Sequence, residues 1–272
     1  MVPCHQKSLI EGQKNMVKER SKVLMFGGSR LSIQIFLLWI PFVDSLTGAV
    51  ESKKKLCFHF DQIEVRGAVT VFVEPGKRNR QVEYFADSSI IDTVTTEVRD
   101  RTLYIDANNS YSLTRIIPLL RLSAQRVFPI EVIVSIESLK EIRLLEKSNL
   151  NIKQVSGKEI KLYSNSTGFL HCSGLRHEKI SVRHDGSGEI ALKGREVIHL
   201  DAQVYGSGSL KCEELFLEKA TIQHHGTGQV MIAPNNWLDA RINNSGNLYL
   251  LEKPEGRVVK NQGNGGRIIE QY

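Results

Sequence analysis

From Leu150 onward, apolar residues come in pairs separated by a single position. One series runs Leu150 and Ile152, Leu170 and Cys172, Ile190 and Leu192, Leu210 and Cys212, Val230 and Ile232, Leu248 and Leu250. A second runs Ile160 and Leu162, Ile180 and Val182, Leu200 and Ala202, Ala220 and Ile222, Leu238 and Ala240. This is the period-two alternation of strands with one buried face, and no stretch of the region carries the spacing of a helix. Between the series lie glycine motifs, among them "DGSGEI" from Asp185, "YGSGSL" from Tyr205 and "HGTGQV" from His225. Their second glycines, Gly168, Gly188, Gly208 and Gly228, stand twenty apart; Gly246 follows after eighteen and Gly266 after twenty more. Ser148 holds the same place one coil earlier. Repetition at about 20 residues is the signature of stacked coils. The pattern therefore predicts an all-β chain forming a parallel β-solenoid, with two or three short strands in each coil.

The motifs read as structural turns at Gly168, Gly186, Gly188, Gly206, Gly208, Gly226, Gly228 and Gly246. A phosphate-binding loop occurs once and opens a helix, so repetition argues against a ligand loop. Two places before each origin stand Ser166, Gly186, Gly206, Gly226, Asn244 and Asn264. Gly and Asn accept positive φ most readily, so a left-handed corner is expected there. Cys172 and Cys212 share one inward position two coils apart, about 9–10 Å, which is too far for a disulfide.

The region 57–135 is also β-rich but less regular, with an insertion over 107–128 whose apolar run Ile116–Leu120 suits a cap over one solenoid end. Regular coils are expected over 136–272. The strings "FDQIEVRGAVTVFVEPG", "VEYFADSSIIDTVTTEVRDRTLYI" and "VFPIEVIVSIESLKEIRLLEKSNLNI", followed by the glycine-punctuated coils, resemble the head GIN domain family of putative auto-transporter adhesins. The resemblance spans Phe58 to the C-terminus, and the order of the pieces carries it. It implies a right-handed β-solenoid exported to a bacterial cell envelope. The chain departs from the family pattern in the insertion after Ala107 and in Ser148, where a glycine is expected.

Residues 1–49 read as a targeting segment. Lys18, Arg20, Lys22 and Arg30 precede the apolar run Leu31–Val43, and Thr47 and Ala49 suit cleavage near Ala49. Thirteen residues fall short of the roughly 20 that span a bilayer; an uncleaved segment would tether the domain to a membrane. A single domain over 50–272 remains, destined for the periplasm, the outer-membrane surface or secretion. Of the formal charge of +6, the segment 1–49 carries half, six basic residues against three acidic. The remainder is nearly neutral for its length, which gives nucleic-acid binding no support.

The odd, outward positions offer three columns of polar side chains. They contain Asn165, Asp185, Tyr205, His225 and Asn243; Tyr163, Arg183, Gln203, Gln223 and Arg241; and Lys161, Ser181, Asp201, Thr221 and Asp239. Arg183, Asp185, Asp201, Gln203, Tyr205, Gln223, His225 and Arg241 are the candidate binding residues, suited to repeated hydrogen bonds with an extended glycan. An envelope protein is the other expected partner. The eight histidines suggest no metal site. His184 and His224 lie two coils apart, His224 and His225 point oppositely, and Cys172 faces away from His171. No cofactor or catalytic residue is expected. A polysaccharide hydrolase or lyase using Asp201 and Asp239, and a purely structural envelope protein, are the alternatives to a binding module.

Overall fold

The computed structural model describes residues 50–77, 80–88, 90–108, 130–263 and 265–272. The targeting segment, the apolar run Ile116–Leu120 and Asn264 fall outside the described residues. The fold is a β-solenoid with coils about 20 residues apart, as the periodicity predicts. Its strands are β1 (Val50–Leu56), β2 (Gln62–Arg66), β3 (Thr70–Pro75), β4 (Gln81–Asp87), β5 (Thr95–Arg99), β6 (Thr102–Asp106), β7 (Glu131–Ile136), β8 (Glu141–Glu146) and β9 (Asn149–Lys153). They continue with β10 (Ser156–Ser166), β11 (Phe169–His184), β12 (Glu189–Val204), β13 (Ser209–His224), β14 (Gln229–Ile242), β15 (Asn247–Leu250), β16 (Gly256–Asn261) and β17 (Ile268–Glu270). A 3-10 turn, Ile91–Thr93, lies between β4 and β5.

From β10 to β14 each strand pairs in parallel with the next in register, Ile160 on Ile180, Ile180 on Leu200, Leu200 on Ala220 and Ala220 on Leu238. The long strands bend around the coil at register shifts, for example between Ala191 and Gly194 and between Gly194 and Val197. Both predicted apolar series are buried and form one continuous core. The bends add a third inward row that simple alternation misses: Val155, Leu175, His177, Val197, Leu215 and Leu217.

The N-terminal portion is less regular because its coils are not stacked in chain order. Strand β2 lies between β6 and β8, and β3 between β7 and β9, all in parallel. Strands β4 and β5 add antiparallel edges on β7 and β6, and β1 lies antiparallel on β4. The three lysines of β1 are exposed on that outer edge, where charge discourages further strand pairing. At the other end, Arg257 continues the inward column of Leu238 and Glu270 that of Leu250. These two form an ion pair, and Tyr272 Oη donates to Glu270 at 2.5 Å, so the core columns end in polar groups.

The expectation of left-handed corners at the glycine motifs is corrected. None of Gly186, Gly206 and Gly226 has positive φ; Gln154, Gly174 and Glu196 are left-handed elsewhere in the coil, and only at the first corner is the residue two before the origin, Glu146, left-handed among the described residues. The motif glycines serve close approach instead. A Cβ on Gly188, Gly206, Gly226 or Gly228 would lie 1.8–2.0 Å from the carbonyl oxygen of a glycine one coil back. Only a residue without a side chain lets the corners stack at the strand spacing. Ser148 holds the first corner, where its hydroxyl donates to Leu145 O at 2.6 Å.

Candidate functional site

Parallel pairing in register converts a repeat in sequence into a column in space. The column through Tyr163, Arg183, Gln203, Gln223 and Arg241 is continuous, as the spacing predicts. It extends further than the repeat reveals: Arg143, Glu64 and Tyr104 continue it at one end and Lys260 at the other. These nine residues span about 38 Å at the ordinary strand spacing. Sequence reading missed Glu64 and Tyr104 because β2 and β6 precede the regular coils and lie in reversed spatial order, whereas Arg143, five places before Ser148, keeps the repeat.

The side chains on this face hold one another. Arg183 Nε donates to Asp185 at 3.0 Å, and its guanidinium lies 4.9 Å from the Tyr205 ring centroid. Tyr205 stacks on His225 at 4.9 Å with the rings 6° from parallel, and Asn243 Nδ2 lies 3.2 Å from His225 Nδ1. Tyr205 Oη donates to Gln203 at 3.4 Å. The Asp185 carboxylate beside it raises the Arg183 pKa, while burial, then Asp185, raises that of Tyr163. Five of the eight candidate residues, Arg183, Asp185, Gln203, Tyr205 and His225, thus meet in one run; Gln223 and Arg241 continue the column of Arg183 and Gln203, and Asp201 stands in the next column. Both faces of Tyr205 are covered, so it presents an edge and a hydroxyl rather than an open ring.

Asp201 and Asp239 stand two coils apart with Thr221 between them. A shallow depression of about 490 Å³ lies over this face, lined by Glu141, Arg143, Tyr163, Arg183, Asp201 and Gln203.

The histidines divide as alternation requires. His184 and His224 are fully buried, and each donates Nε2 to a corner carbonyl, Gly188 at 3.1 Å and Gly228 at 3.0 Å. His171 lies outward against Glu189 at 3.0 Å and stacks on Phe169. Left-handed Gly174 resets the alternation, so His177 turns into the core. Among the described residues, no group of three or more His, Cys, Asp or Glu is placed to hold a metal ion. Cys172 and Cys212 are free and buried; burial pushes the Cys172 thiol up to about 12 and raises that of Cys212 as well. No helix among the described residues is long and apolar enough to cross a membrane.

Comparison with known proteins yields a family and a fold. Residues 59–254 match the family model described as "Putative auto-transporter adhesin, head GIN domain". A putative adhesin from Bacteroides fragilis is similar in structure, with a TM-score of 0.66 at 15% identity, covering 82% of this chain and 97% of that one. A putative adhesin from Parabacteroides distasonis gives 0.58 at 18% identity, with the same coverages of 82% and 97%. A protein of that organism titled a putative lipid binding protein gives 0.56 at 18%, again over 82% and 97%. No curated protein matches the chain.

Proposed function

Since this chain belongs to the head GIN domain family of putative auto-transporter adhesins, we propose that it is an exported, non-catalytic surface module that binds an extended glycan along the face described above. The observation that carries this reading is the run Asp185, Arg183, Tyr205, His225, Asn243, in which each side chain is already held by the next. Groups fixed before binding lose little entropy when a ligand arrives. A polymer lying along the coils meets a similar polar row every 4.8 Å, so weak hydrogen bonds sum along its length. The composition of residues 1–49 supports export.

The test is a glycan array probed with the full chain and with a variant carrying Arg183→Ala, Tyr205→Ala and Gln223→Ala. The wild type is expected to bind at least one polysaccharide class, and the variant to bind it at least tenfold less while keeping its melting temperature. Silence across the array would sink the glycan reading in favour of a protein partner or a structural role. Cleavage of a bound glycan, lost on Asp201→Asn or Asp239→Asn, would replace the binding module with an enzyme.

A further inference from the structure

Trp237 lies on the same face but outside the run just described, in the outermost column beyond Asp239, and is 44% exposed. Its partners in register are Lys219 on one side and Gly256 on the other. A Cβ at Gly256 would lie 2.4 Å from indole Cζ3 and 2.5 Å from Cε3. The ring therefore leans across the coil boundary into space that any other residue at 256 would fill. Two positions along β14, on the same outward parity, stands the half-buried Asp239. Its Oδ1 is covered and has no partner among the described residues, so the carboxylate is incompletely satisfied by the protein. Val258, 41% exposed, stands beside Asp239 in register.

The surroundings narrow the ligand. Lys219 stands beside Trp237 in register, and the pair Arg241 and Lys260 lies two places beyond Asp239 and Val258, so the nearby positive charge offsets Asp239 and disfavours a cation over the ring. The rest of the outer column is Glu159, Lys179 and His199, a polar field unsuited to a broad apolar partner surface. One exposed aromatic ring beside one carboxylate suits a ligand with an apolar C–H face and a rim of hydroxyl donors. We propose that Trp237 and Asp239 form a stacking subsite for a pyranose ring at the C-terminal end of the ladder. The ring packs on the indole while a hydroxyl donates to Asp239 Oδ2, since Oδ1 is covered. This inference rests on the glycan reading and adds the residue that grips one sugar.

The chain has two tryptophans, Trp39 and Trp237, so a full-length Trp39→Phe background makes the emission specific to the site. Cellohexaose, chitohexaose and oligogalacturonate are titrated into it; acidic and neutral probes separate a charge contact with Arg241 from stacking alone. Emission from Trp237 is expected to shift on saturation with at least one probe. Trp237→Ala is expected to weaken that probe at least about fivefold, on the order of a single stacking contact. Trp237→Phe should restore most of the loss. Gly256→Ala, which removes no polar group and only displaces the ring, should weaken binding in the same direction. A probe that binds with unchanged emission, and equally well to Trp237→Ala, overturns the subsite and leaves the ladder reading standing. Failure of every glycan to bind overturns both.

Discussion

His177 lies in the core with neither ring nitrogen paired among the described residues, and burial holds its pKa at about 4 against an ordinary 6.5. In the unfolded chain the ring takes up a proton as pH falls through about 6.5; in the folded protein it does so only near 4. The unfolded state binds more protons across that window, so stability falls as pH drops from about 6.5 to about 4. Above 6.5 both states are neutral and the contribution vanishes. His224, lowered chiefly by burial, acts in the same direction. Leu217 occupies the same inward row as His177, so leucine has a precedent there. His177→Leu is expected to raise the melting temperature at neutral pH, by about 1–3 kcal/mol of stability for the buried polar atoms removed. It should also flatten the acid slope of melting temperature against pH; an unaltered slope would assign the acid sensitivity to other groups. Nothing in the string "HCSGLRH" gives this position away, because the reversal depends on the φ of +69° at Gly174.

The glycine corner is the element whose place is plainest in the sequence and whose physical reason is not. Spacing alone locates each turn, yet the left-handed backbone that glycine suggests is absent at Gly186, Gly206 and Gly226. What the corner requires is contact distance. In Gly228→Ala the new Cβ would meet the Gly208 carbonyl oxygen at 1.8 Å, a backbone atom held by the coil behind it. The substitution is expected to cost about 3 kcal/mol or more in denaturant unfolding, the upper range for overpacking. Gly157→Ala is the control, since its Cβ would meet nothing closer than 3.5 Å; it should be neutral or slightly stabilising. Equal losses from both would mean that glycine's backbone freedom, rather than close approach, is what the corners need. The ends of the stack follow the same economy. In the last described coil Arg257 and Glu270 stand in register with Leu238 and Leu250, so charges close the two core columns there.

A stack in which each coil touches only its neighbours has stability that is largely a sum over interfaces. Strands β11, β12 and β13 have partners on both sides, whereas β16 and β17 pair on one side only among the described residues. Hydrogen exchange is therefore expected to be slowest in β11–β13 and to quicken toward β16 and β17. Uniform protection would show instead that the coils open as one unit. At this scale the sequence by itself determined the period, the two main inward series, the corners and the outward polar columns. Each follows from strand alternation and a fixed repeat, which are local rules. Only the tertiary structure decided that β2 and β3 slot between coils formed later in the chain, because pairing between distant segments leaves no periodic trace. Only it showed that Arg183 and His225 cover both faces of Tyr205 while Trp237 leans over Gly256 and remains open. Register fixes which side chains are neighbours; their rotamers and the space beside them decide which remain free for a ligand.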